Sequence, residues 1–277
     1  MKCGMTLKII KALWGMTGPL EAQLRVIAEA GYDGVEARID QTDDIDTLKR
    51  LLREYRLGCV ALVVSKGRDM DAVKECLTKE VEQALELEPL AINSHGGRDR
   101  WSLDEHLGFF EHALDVERKA GLTISHETHR KYSFYVPHVA GQILRHFPEL
   151  NVTADFSHWC VSCETMLDEH AENVALACSR TRLIHGRVGY PEGAQVPDPR
   201  APEYASYVAK HEAWWEVIVK KQLAQNEATL FTSEYGPPPY LQTLPYTRQP
   251  TVDLWELGKY TAERFRLQYQ ALEGTRA

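Results

Sequence analysis

Long apolar runs are missing from this chain. No stretch approaches the roughly 20 residues that a membrane span requires, so no membrane contact is expected. Runs of lysine and arginine are missing too. The 32 basic side chains are scattered among 40 acidic ones, leaving a formal charge of -8. Phosphate binding draws on clustered positive charge, so nucleic acid is not an expected partner. Cysteine is sparse: six residues at 3, 59, 76, 160, 163 and 178 in 277 make no disulfide framework. The one C-x-x-C, in "HWCVSCE", lacks the second pair of a structural zinc site and the βαβ setting of a thioredoxin motif. Cys160 and Cys163 are therefore read as small packing residues. The opening "MKCGMTLKIIKALWG" offers no small-residue secretory cleavage site, and a cytoplasmic location is expected. Linkers, low-complexity segments and short repeats are also missing, so residues 1–277 are read as one domain.

What the chain does have is an alternation. Short β-rich runs occur at 7–15, 34–39, 59–64, 90–97, 122–127, 151–159, 181–188 and 229–236. Between them lie patterns such as "PLEAQLRVIAEAG" and "DEHLGFFEHALDVERKAG", with apolar residues three and four apart and a glycine near the end. Strands alternating with helices pair in parallel through right-handed crossovers. Eight such units in a chain of this length predict an α/β fold, a single (β/α)8 TIM barrel. The competing open sheet would want a G-x-G-x-x-G turn after the first strand, where "WGMTGPLEAQ" stands instead. The segments 189–204 and 236–250 read as loops by their prolines and glycines.

In such a barrel the C-terminal strand ends converge on one mouth. Here they carry His95 on strand four and Glu127 on strand five. Asp155 and His158 follow on strand six, His185 on strand seven and Glu234 on strand eight. Alternation along strand five sends Ser125, Glu127 and His129 to one face and His126 to the other. Carboxylates and imidazole together suit one divalent ion, manganese, magnesium, cobalt or zinc. Three carboxylates gathered without a cation would repel one another.

The ordered series Glu127, Asp155-x-x-His158, His185, Glu234 resembles the xylose isomerase-like barrel superfamily. The resemblance is to its sugar epimerase and isomerase branch, which includes the D-tagatose 3-epimerase and hydroxypyruvate isomerase relatives. "GYDGVEAR" early and "TSEYG" late extend the resemblance across the chain. It implies that Glu127, Asp155, His185 and Glu234 ligate one divalent metal. It also implies that Glu127 and Glu234 move protons on opposite sides of a substrate carbon, and that His158 contacts a substrate oxygen. Arg187 is similar to a substrate-binding arginine of this branch. His95 is a further candidate to hold an oxyanion or sugar hydroxyl. Glu36 is a candidate hydroxyl acceptor, and Trp14, Trp101, Trp159 and Tyr235 are candidates for an apolar wall. Gln195, Asp198 and Arg200 lie on a loop that either closes over substrate or stays solvated.

The expected activity is a metal-dependent isomerase or epimerase of a small sugar-like substrate, with a homo-oligomer allowed. The alternative is a dehydratase, lyase or hydrolase on the same metal shell. An endonuclease IV-like nuclease is disfavoured, because Ser65 stands where that enzyme places a histidine and "PDPR" replaces an Asp-x-His.

Overall fold

The computed structural model describes residues 7–275; Cys3 and the rest of the opening hexapeptide lie outside the described residues. Eight parallel strands close into a barrel in chain order. They are β1 (Leu7–Ala12), β2 (Gly34–Arg38), β3 (Gly58–Val64), β4 (Ala91–His95), β5 (Ile124–Glu127), β6 (Asn151–Ala154), β7 (Thr181–His185) and β8 (Thr229–Ser233). Closure is by pairing of β1 with β8, Leu7 opposite Thr229 through Lys11 opposite Ser233.

The outer ring consists of α1 (Leu20–Glu29), α2 (Ile45–Tyr55), α3 (Met70–Leu85), α4 (Leu103–Ala120), α5 (Pro137–His146), α6 (Phe156–Cys163), α7 (Ala171–Arg180), α8 (Ala205–Gln225) and α9 (Leu254–Gly274). Local chemistry fixes their ends. α4 starts on a reciprocal capping box between Ser102 and Glu105, and stops at Gly121 in the left-handed region. α9 buries Leu257 and Phe265 against β8 and β1, with the Phe265 ring stacked 3.8 Å from that of Phe231. Leu254 and Tyr260 of the same helix are only half-buried. No helix among the described residues is long and apolar enough to cross a membrane.

Several strands end earlier than their sequence runs suggest. β6 stops at Ala154, so His158 sits in the first turn of α6 and not on a strand. Asp155 is the N-cap of that helix, its side chain accepting from the Ser157 amide. Glu234 and Arg187 stand one and two residues beyond β8 and β7. The "HWCVSCE" reading holds: Cys160 is buried, Cys163 half-buried, and both are free thiols.

Candidate metal centre

Glu127, Asp155, His185 and Glu234 converge. Each offers a ligand atom, and these atoms lie within 4.8 Å of one another, all on buried residues. β5, β7, β8 and the cap of α6 each deliver one. His185 Nδ1 and Glu234 Oε2 stand 2.8 Å apart, an ion pair while the imidazole is protonated. With that proton released, both atoms offer lone pairs to a common point, which is what a shared cation requires.

A surrounding network fixes the ligands. His185 donates through Nε2 to Glu36 Oε2 at 3.0 Å, and Thr232 Oγ1 donates to the same oxygen at 2.8 Å. That commits the Nε2 side of the ring to Glu36 and turns Nδ1 toward Glu127, Asp155 and Glu234. Asn93 donates to Glu127 Oε2 at 2.7 Å and to Glu36 Oε1 at 3.2 Å, tying the two carboxylates together. His95 Nε2 lies 2.7 Å from Glu127 Oε2.

Arg187 is buried on the opposite side of the cluster. Its Nη2 donates to Asp155 Oδ2 and to His158 Nε2, and its Nε to Ser157 Oγ. Its Nη1 and His158 Nδ1 are buried without a partner. The Tyr240 ring covers the guanidinium at 5.0 Å, and Trp14 approaches it at 5.9 Å. Trp14 borders a cavity of about 520 Å³ that also touches Leu13, Arg38 and Gln41. Tyr240 borders a second, of about 220 Å³, with Arg130 and Gln195. Neither cavity is lined by the four ligands, which lie buried behind this cap.

The electrostatics show a site that demands positive charge. Burial works against a charged His185, but Glu36, Glu127 and Glu234 outweigh it and hold the imidazole well above its ordinary range. Burial likewise pushes Glu234 up, yet Arg187 and His185 bring it down to about 2. Glu127 is raised by burial and lowered more strongly by His95 and His185, ending well below the usual carboxylate range. Asp155 goes the other way: burial lifts it to about 6, aided by Glu234 and Glu127, with Arg187 opposing. A divalent ion among these atoms would remove both the carboxylate repulsion and the need for a protonated His185, so the residues fit the group.

The sequence-predicted site residues separate into those that meet here and those that do not. Glu127, Asp155, His185, Glu234, His158, Arg187, His95 and Glu36 form one buried cluster, with Trp14 at its rim. Glu36, expected to meet substrate, is fully engaged with His185, Thr232 and Asn93. Trp159 packs on Phe156, its Nε1 donating to the Phe134 carbonyl. Trp101 packs on Phe109 and Tyr235 among Leu241 and Leu257, so none of the three walls the mouth. Gln195 is buried and clasps Gly236 through both main-chain groups, whereas Asp198 and Arg200 pair with each other near solvent. Asn93, Thr232 and Tyr240 were not foreseen. Asn93 and Thr232 share the inward faces of their strands with His95 and Glu234, so alternation could have found them.

The sequence model of the family described as Xylose isomerase-like TIM barrel matches residues 24–196. No curated protein matches the chain in sequence. Among solved structures, a D-tagatose 3-epimerase-like protein superposes with a TM-score of 0.66 at 15% identity, over 98% of this chain and 100% of that one. A D-allulose 3-epimerase from Methylomonas sp., solved in complex with D-allulose, gives 0.62 at 17% identity, over 96% and 98%. The IOLI protein, solved with a zinc atom, gives 0.64 at 13% identity, over 95% and 97%.

Proposed function

Because the chain belongs to the xylose isomerase-like TIM barrel family, and its ligand cluster contains two glutamates, we propose that it is a divalent-metal-dependent isomerase or epimerase. Its substrate would be a small sugar or polyhydroxy carbonyl compound. The observation that carries this reading is the placement of Glu127 and Glu234 in one four-ligand cluster with Asp155 and His185. Three carboxylates and one imidazole suit manganese, magnesium, cobalt or zinc. The solved relatives named above with a sugar or with zinc support the same reading.

An ion held by these four residues supplies Lewis-acid stabilisation for the negative oxygen that develops beside the carbon losing its proton. The chain's own groups do the rest. One glutamate of the pair takes the carbon-bound proton, its two electrons passing into the bond toward the carbonyl carbon. The other glutamate returns a proton, to the same carbon from the opposite face for epimerisation or to the neighbouring carbon for isomerisation. Arg187, through its unpartnered Nη1, and His158, through its unpartnered Nδ1, would hold a substrate oxygen. His95 keeps Glu127 oriented, and Glu36 does the same for His185. Burial strengthens each of these interactions and keeps water from the carbanion-like species.

The test is a panel of ketoses, aldoses and keto acids with manganese-loaded protein in deuterated water, followed by NMR. Deuterium should enter a carbon next to the carbonyl in at least one compound, with an epimer or isomer as product. Loss of water or carbon–carbon cleavage would select the dehydratase or lyase reading. Hydrolysis without any carbon exchange would contradict enolisation altogether.

A further inference from the structure

Arg130 stands beside the aromatic cap of the site with its charge unpaired. Its guanidinium lies 5.1 Å from the centre of the Tyr240 ring, the same ring that Arg187 meets at 5.0 Å. Arg187 is paired with Asp155. Arg130 is half-buried, and among the described residues no carboxylate pairs with its guanidinium and no group accepts a hydrogen bond from it. The backbone is strained to hold it there. The Tyr132 amide donates to the His129 carbonyl at 3.2 Å, closing a turn with Arg130 and Lys131 at its corner. Lys131 has φ +82°, in the left-handed region that favours glycine. The turn is tied to the loop after β4, where the Asp99 amide donates to the Lys131 carbonyl and the Ser133 amide to the Gly96 carbonyl. Such strain persists where the surroundings over-determine it, and it gathers at segments that hold ligands.

We propose that Arg130 selects an anionic substrate: the sugar carries a carboxylate or phosphate at the end remote from the reacting carbon, and Arg130 binds that group. The inference rests on the isomerase or epimerase reading above and narrows its substrate class. Arg130 borders the cavity of about 220 Å³ together with Tyr190, Glu192, Gln195, Tyr240 and Gln242. A guanidinium presents paired donors that match two oxygens of either group. Tyr190 accepts from Gln242 at 3.5 Å, and its own hydroxyl proton has no acceptor among the described residues, so it supplies one more donor. Gln195 is committed to Gly236 and supplies none. The acid on this wall, Glu192, is exposed, where water and salt screen its repulsion. Because Arg187 and Arg130 share the Tyr240 ring, a five- or six-carbon sugar whose reacting end meets Arg187 brings its far end beside Arg130. The chain as a whole carries a formal charge of -8, so its long-range field repels an anion and a local cation is what admits one.

Matched trios of sugars decide the matter. D-fructose, D-fructuronate and D-fructose 6-phosphate differ only at the carbon farthest from the carbonyl end, and D-tagatose offers the same three forms. Each is given to manganese-loaded protein in deuterated water. In a trio that exchanges, an acid member should exceed its neutral counterpart in kcat/KM by about 10- to 100-fold, the range of a hydrogen bond to a charged group. Whether the carboxylate or the phosphate leads identifies the group. Arg130→Gln should bring that ratio close to one by raising KM and not by lowering kcat, and Arg130→Lys should restore part of it. A neutral sugar that exchanges fastest, or an acid advantage that survives Arg130→Gln, would overturn the anion subsite and leave the proposed function standing. A fall in kcat shared by acid and neutral members would make Arg130 a prop for Tyr240 and overturn the subsite equally. If no compound exchanges, the proposed function fails, and calorimetric titration of the acid members into the parent and Arg130→Gln decides the subsite separately. Binding to the parent alone would support it; binding to both or to neither would overturn it.

Discussion

At the scale of single residues, the site is built in two layers, and the outer one is testable. Glu36 holds His185 by Nε2 and takes hydrogen bonds from Thr232 and Asn93. Losing such an orienting carboxylate typically costs about 10- to 100-fold in metal affinity. Glu36→Gln should weaken manganese binding by that range in a competition titration while the far-ultraviolet spectrum stays unchanged. Unaltered affinity would mean that His185 is oriented by something else. His211 supplies a second residue-scale prediction. It is a buried residue of α8 facing the loop after β7 and accepting from the Gly189 amide, and burial pushes its pKa down to about 3 despite an opposing hydrogen bond at Gly189, with Arg187 adding to the lowering. The unfolded imidazole titrates near 6.5. Between those values the unfolded chain takes up a proton that the folded chain refuses, so stability is complete above about pH 6.5 and falls as pH drops toward 3. The slope amounts to about 1.4 kcal/mol per pH unit for one such group. In urea titrations at pH 4 to 6, His211→Gln should show a slope shallower by about one proton; an unchanged slope would place the acid sensitivity in other histidines.

At the scale of elements, the ligands were legible because each stands at the polar end of an apolar run. Glu127, His185 and Glu234 all interrupt stretches that head for the barrel interior, and burial of a charge there needs a reason. The element under His158 was not legible in the same way. "NVTADFSHW" alternates well enough to continue as a strand, and only the Asp155 cap, taking the Ser157 amide, converts its second half to helix. Tyr240 was hidden for another reason: it lies on a proline-rich loop with no periodicity, and its place over Arg187 depends on where that loop is tied down, by Gln195 holding Gly236. The sequence His185-Gly186-Arg187 carries a further constraint. A Cβ on Gly186 would stand 2.0 Å from the Phe231 ring, on the side away from the ligands. Gly186→Ala should therefore cost about 1–3 kcal/mol by overpacking. It should also disturb its two functional neighbours together, raising the metal dissociation constant and the Michaelis constant. A variant as stable as the parent in thermal melts would mean that Phe231 yields without consequence.

At the scale of the whole molecule, the count of eight alternating units was enough to read the barrel, because parallel strands joined by helices must close or leave edges. Closure depends on the last helix. α9 covers β1 and β8 through Leu257 and Phe265, so ending the chain before Thr251 uncovers the Phe231 face and should give aggregated protein. A soluble truncation with a cooperative melt would show that the barrel closes without it.

The central claim, that Glu127 and Glu234 move protons as well as hold metal, rests on the distinction between occupancy and exchange. Glutamine keeps the shape and one coordinating oxygen but not the basic site. The decisive measurement is metal occupancy beside the rate of solvent deuterium incorporation into substrate, for the parent, Glu127→Gln and Glu234→Gln. General acid–base catalysis contributes roughly 100- to 10,000-fold, so each variant that retains metal should lose at least about a hundredfold in exchange. Variants that keep both metal and near-parental exchange would contradict the two-glutamate mechanism and leave His158 or His95 as the base.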